Sequence, residues 1–115
     1  METERSDVES FFNEFKIKMK VFGIVYLRLR QKNLQTQLDL ELREFEKDKY
    51  IGELTVEDFY KGPSQDYTGG PNIWEFGKMV KNNEVYIKIM MGIGAKPVIC
   101  ISFHFPERKI KYPFK

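Results

Sequence analysis

A chain of 115 residues, 42% hydrophobic and 15% aromatic, has enough apolar material to build its own core, which excludes a disordered segment or a disulfide-stapled miniprotein. One cysteine, Cys100, and one histidine, His104, exclude an internal disulfide and a multi-cysteine zinc site; with no clustered acidic ligands, no metal or cofactor is expected. Net charge is +2 but uneven: residues 59–115 carry nine Lys/Arg and four Asp/Glu (9 − 4 = +5) and residues 1–58 ten and thirteen (10 − 13 = −3), so the basic half suits an anionic ligand such as RNA, or simply a solvated sheet face.

Residues Met1 to Asp7 are polar and mixed in charge, which predicts neither a secretory signal nor a membrane span, and a cytoplasmic location. Ser6-Asp7-Val8-Glu9 reads as a capping box, and Val8, Phe11, Phe12 and Phe15 fall on one helical face, predicting a helix from about 7 to about 18. The β-branched and aromatic run Val21 to Leu27 predicts a largely buried strand. Residues 32 to 54 read as helical, although Leu42, Phe45, Tyr50 and Leu54 spread over a wide arc. Thr55-Val56-Glu57-Asp58 caps a single turn, stopped at Gly62-Pro63, and the Gly/Pro-rich stretch 62 to 72 reads as a surface loop. Three strands follow, Ile73 to Lys81, Glu84 to Met91 and Val98 to His104, with Asn82-Asn83 as a two-residue turn; Pro106 and Pro113 bound an irregular tail. The expectation is one α+β domain spanning 1–115: an N-terminal helix and strand, a helical segment, then a three-stranded antiparallel meander in two layers.

Strand side chains alternate between faces. Trp74, Phe76 and Val80, then Val85, Ile87, Ile89 and Met91, then Ile99, Ile101 and Phe103 form core rows. The Asn82-Asn83 turn would pair Lys81 with Glu84, Met79 with Tyr86, Gly77 with Lys88 and Glu75 with Met90. Burying Ile99, Ile101 and Phe103 would set His104 beside Tyr86 and Lys88. The open face then bears Glu75, Tyr86, Lys88, Ser102 and His104, with Cys100 as a small strand residue and Gly77 leaving room for a ligand to approach the backbone. Such a set supplies a base, an acid and a cation for attack of a ribose 2′-OH on the adjacent phosphorus. A one-sided sheet also shows a polar face with surface ion pairs and no chemistry. Trp74 reads as a core anchor, Tyr60 and Tyr67 beside the Gly/Pro loop as residues able to stack on RNA bases, and Gly92-Ile93-Gly94 as a turn.

Asp58-Phe59-Tyr60-Lys61, Ile73-Trp74-Glu75, Glu84-Val85-Tyr86-Ile87-Lys88 and Ile101-Ser102-Phe103-His104, in that order, resemble the motility quorum-sensing regulator (MqsR) toxins over residues 54 to 104, and more loosely before them. The resemblance implies a RelE-like fold and the toxin of a type II toxin-antitoxin system, an mRNA interferase. It also implies an antitoxin partner with a zinc-binding domain and a helix-turn-helix domain. It places catalytic positions at Lys61, Glu75, Tyr86 and His104. The family has glutamine where this chain has Glu75, and lysine where it has His104; both substitutes carry protons better at neutral pH. The resulting assignment is Glu75 as general base, His104 as general acid, Lys61 and Lys88 on the phosphate, and Tyr86 orienting it, with Tyr60 and Ser102 as further substrate contacts. Two alternatives are a catalytically inactive RNA- or protein-binding domain on the same fold and a ribosome-dependent mRNA nuclease.

Overall fold

The computed structural model describes residues 3–27, 30–65, 70 and 72–115. Its elements are α1 (Arg5–Phe22), β1 (Ile24–Tyr26), α2 (Gln31–Asp39), α3 (Glu44–Gly52), a 3-10 turn (Val56–Asp58), β2 (Phe59–Ser64), β3 (Ile73–Val80), β4 (Asn83–Met90) and β5 (Val98–His104). The strands form one sheet in the order β1-β5-β4-β3-β2, antiparallel except for the parallel pairing of β1 with β5. The fold is a mixed α+β, two-layer arrangement, and the expected meander is the middle of a wider sheet.

The first helix is longer than its periodicity suggested and is capped two residues earlier. Glu4 N–H donates to Asp7 Oδ2 at 2.8 Å, while Glu9, read as the capping-box acid, pairs with Arg5 at 3.3 Å. Its buried face is the expected one, Val8, Phe11, Phe12 and Phe15. Phe11 stacks on Trp74 at 4.5 Å and Phe12 meets Phe76 at 5.4 Å, which fastens α1 to one side of the sheet. Trp74 thus anchors the core side, as its row predicted.

The strand expected over Val21 to Leu27 shrinks to Ile24–Tyr26, because helix α1 runs on to Phe22 and ends only at Gly23, φ +81. The helical stretch 32 to 54 is two helices. Leu40 and Leu42 are both buried while Glu41 between them takes φ +52, so the chain turns a corner and the wide apolar arc belongs to two axes. The single turn at Thr55 is present, with Thr55 N–H donating to Asp58 Oδ2 at 2.9 Å. Gly62-Pro63, expected to open a loop, instead lies in β2, an edge strand whose pairing with β3 breaks twice. The rest of that loop falls partly outside the described residues, including Tyr67.

Two register corrections shape the open face. The β3–β4 turn is Lys81-Asn82, with φ of +51 and +68, one residue before the expected pair. Lys81 Nζ donates to Leu40 O at 2.9 Å, a long-range contact that fixes the turn to the α2–α3 corner. Partners therefore slide by two: Glu75 faces Lys88, Gly77 faces Tyr86 and Met79 faces Glu84. A slip of two leaves side-chain parity intact, so each residue stays on its expected face. In β5, Ile101 is left over between the Lys88–Ser102 and Ile89–Cys100 pairs. This bulge exchanges faces: Cys100 is core, 1% exposed, and Ile99 joins the open side, against the expected order.

The expected tail after Pro106 has no regular structure, yet it is packed. Ile110 is buried, Tyr112 O–H donates to Glu84 Oε2 at 2.6 Å, and Phe114 stacks on Phe59 at 5.5 Å. Ile110 and Tyr112 strap across the sheet face opposite α1, and Phe114 returns to the α1 side. None of the described helices is long and apolar enough to cross a membrane.

Candidate functional site

On the face opposite α1, β3, β4 and β5 set Glu75, Lys88 and Ser102 in one row and Gly77, Tyr86 and His104 in the next. Tyr86 O–H donates to Glu75 Oε1, and the Tyr86 and His104 rings lie 5.2 Å apart. His104 Nδ1 is 2.8 Å from the Phe105 carbonyl; because a carbonyl only accepts, Nδ1 carries the proton and Nε2 is left for other work. Burial pushes the Tyr86 phenol far above the usual range, and the Glu75 hydrogen bond and charge add to it, as does Tyr60, with Arg30 pulling the other way. Tyr86 is therefore a permanent O–H donor that occupies Glu75 Oε1, while Oε2 has no hydrogen-bond partner among the described residues.

The sheet brings together Glu75, Tyr86, Lys88, Ser102 and His104, five of the seven residues the sequence singled out. Glu75 and His104 are each 7% exposed, and Ser102 only 1%, far less open than a solvated sheet face would be. Gly77 does not hold space for a ligand: a Cβ there would collide with Tyr112 and come within 2.9 Å of Ile110 Cδ1, so the strap occupies that room. On the other side of the cluster a row of apolar groups, Ile73, Met90, Ile99 and Val25, crosses four strands. Val25 in that row is exposed.

Lys61 and Tyr60 lie on edge strand β2, where Tyr60 is near enough to act on the Tyr86 phenol. Lys61 is the register partner of Glu75, yet its ammonium lies 5.2 Å from the Tyr60 ring centroid, and no ion pair joins it to the cluster among the described residues. The residue that parity missed is Arg30, whose Nη1 reaches Ser102 Oγ at 3.4 Å. No strand pattern reveals it, because it arrives from the end of a helix.

Two hollows lie elsewhere. One of about 320 Å3 lies between α2, α3, β1 and β5, lined by Tyr26, Lys47, Cys100 and Phe103 among others. One of about 1070 Å3 lies between α1, β2, Trp74 and Phe114. The second is lined by Tyr60 and Lys61 among others, and neither lining includes Glu75, Tyr86, Lys88, Ser102 or His104. Among the described residues no three His, Cys, Asp or Glu side chains are grouped to hold a metal ion. No protein-family model matches the chain, and neither does any curated protein or any solved structure.

Proposed function

We propose that this chain is a metal-independent endoribonuclease acting on single-stranded RNA across the Glu75–Tyr86–His104 face. The observation that carries the reading is the contact chain itself: a carboxylate bonded to a phenol whose ring lies beside an imidazole, from three adjoining strands, with Lys88 next to Glu75 in its row. Glu75 Oε2 takes the 2′-OH proton as the oxygen attacks phosphorus. The bond from phosphorus to the 5′-oxygen then breaks, and that oxygen takes a proton from Nε2 of a protonated His104. Tyr86 holds Glu75 and Lys88 offsets the charge that develops on phosphorus. The products are a 2′,3′-cyclic phosphate and a 5′-hydroxyl.

The finer reading, a RelE-like fold and an MqsR-type toxin that cuts messenger RNA and is silenced by a zinc-binding, helix-turn-helix antitoxin, rests on the ordered sequence blocks alone. A competing reading is favoured by a specific observation: Glu75 and His104 are nearly buried and have partners, and no buried side-chain polar atom among the described residues lacks one. That is how a purely structural polar cluster in an inert binding domain would look. Incubating purified protein with mixed RNA in EDTA separates them. Cyclic-phosphate ends that vanish in His104→Ala and Glu75→Gln support the enzyme; binding without product supports the inert domain. Cleavage of message only during translation selects a ribosome-dependent nuclease.

A further inference from the structure

Arg30 is the N-cap of α2, and residues three apart on a helix lie on one side. Arg30, Asn33 and Thr36 have that spacing, and each engages β5 or its continuation. Arg30 Nη1 donates to Ser102 Oγ. Asn33 Nδ2 donates to Ile101 O at 3.0 Å, and Asn33 Oδ1 accepts from Phe103 N–H at 3.0 Å. Thr36 Oγ1 accepts from Phe105 N–H at 3.1 Å. Helix α2 is thereby fastened to the strand that carries Ser102 and His104, and its N-cap residue Arg30 lies beside Ser102.

The guanidinium is on the surface and makes only that one long contact, so its other N–H groups have no hydrogen-bond partner among the described residues. Its field reaches the Tyr86 phenol. Ser102, at 1% exposed, is too enclosed to meet a substrate and serves as the rest for the guanidinium. Lys61, the cation suggested by sequence resemblance, stays over Tyr60 at the sheet edge.

We propose that Arg30, with Lys88, forms the phosphodiester subsite of this face, its planar fork receiving the two non-bridging oxygens while Ser102 holds it in place. The inference rests on the endoribonuclease reading and replaces Lys61 by Arg30 as the principal cation. Single-turnover cleavage of mixed RNA in EDTA tests it. Arg30→Ala is expected to lower the cleavage rate at saturation by about a hundredfold and to raise half-saturation by several-fold, and Arg30→Lys to recover only part, since a point charge lacks the fork. Free guanidinium ion is expected to restore activity to Arg30→Ala, which a merely structural role would not allow, and melting should stay put. Activity of Arg30→Ala within about threefold of the unsubstituted protein overturns the inference while leaving the nuclease reading intact. If the unsubstituted protein cuts nothing, that reading fails, and the subsite is judged on anisotropy of a labelled RNA oligonucleotide. Weaker binding by Arg30→Ala, with the slope of log K against log salt reduced by about 0.7, supports it; unchanged affinity and slope overturn it.

Discussion

Tyr86 holds its proton throughout the pH range in which carboxylates and histidine titrate, so its hydroxyl always donates to Glu75. Replacing it by phenylalanine leaves a nearly buried carboxylate short of a donor. Hydrogen bonds to charged groups are worth about 1.5–3 kcal/mol, and Tyr86 is half-exposed, so Tyr86→Phe is expected to lose about 1–2 kcal/mol in urea unfolding. A variant as stable as the parent would mean that Glu75 does not need this partner. Cys100 is a second case in which environment fixes chemistry. Its thiol is 1% exposed and burial pushes its pKa up to about 12, with Lys47 and the Ser102 backbone opposing. The thiolate is the reactive form, so iodoacetamide at about pH 8 should leave the folded chain unmodified and label it fully in denaturant. Alternation alone had put Cys100 on the open face, and only the bulge at Ile101 explains why it is inert. A bulge is a shift of backbone against a neighbour, and nothing local in Cys100-Ile101-Ser102 encodes it.

At the scale of elements, the weak point is the upper half of β5. Strand β1 covers it only as far as Cys100, and beyond that α2 supplies side chains where a neighbouring strand would supply backbone. Asn33→Ala strands the Ile101 carbonyl and the Phe103 amide together; at about 1–3 kcal/mol for each buried unsatisfied group, a loss of about 2–6 kcal/mol is expected. Thr36→Val exposes only the Phe105 amide, at a half-buried position, and should cost less. Equal effects in denaturant titrations would contradict this division of labour. The strap has its own test. Gly77→Ala pushes on Ile110 and Tyr112, the ends of two side chains and not backbone, so the sheet should survive while the strap loosens. Trypsin should then cut faster at Lys109 and Lys111, with little change elsewhere. These elements were unequally legible. The meander could be read because each strand has one apolar row. Strand β2 could not, since Gly62-Pro63 spells a turn and its pairing is broken. The β1–β5 pair joins segments far apart in sequence, and no short-range pattern announces it.

Across the whole molecule, parity of the strands was enough to collect Glu75, Tyr86, Lys88, Ser102 and His104 on one side, and it survived a two-residue error in register. What it missed came from outside the meander: Arg30 from a helix end and the strap over Gly77. The same closure of the polar groups has a global consequence. Tyr26, Tyr86 and Tyr112 are all driven above the ordinary phenol range, first by burial and then by hydrogen bonds to Asp48, Glu75 and Glu84. Cys100 is raised by burial alone. Each of these groups keeps its proton in the folded chain at pH values where the unfolded chain has lost it. Their contribution is fully present below the unfolded pKa values, about 8.5 for the thiol and 10 for the phenols, and is lost as pH rises above them. Stability should therefore hold steady to about pH 8.5, then fall, and fall faster beyond about pH 10. Cys100 and Tyr26, the more enclosed pair, should each add about 1.4 kcal/mol per pH unit to the decline; Tyr86 and Tyr112 add less because water screens them. Urea midpoints across this range measure the slope, and Tyr26→Phe should flatten it above about pH 10 by roughly one proton. The share of the phenolate absorbance that Tyr26→Phe removes should appear together with unfolding; if that share rises well before the fold is lost, Tyr26 is open to solvent and its packing described above is wrong.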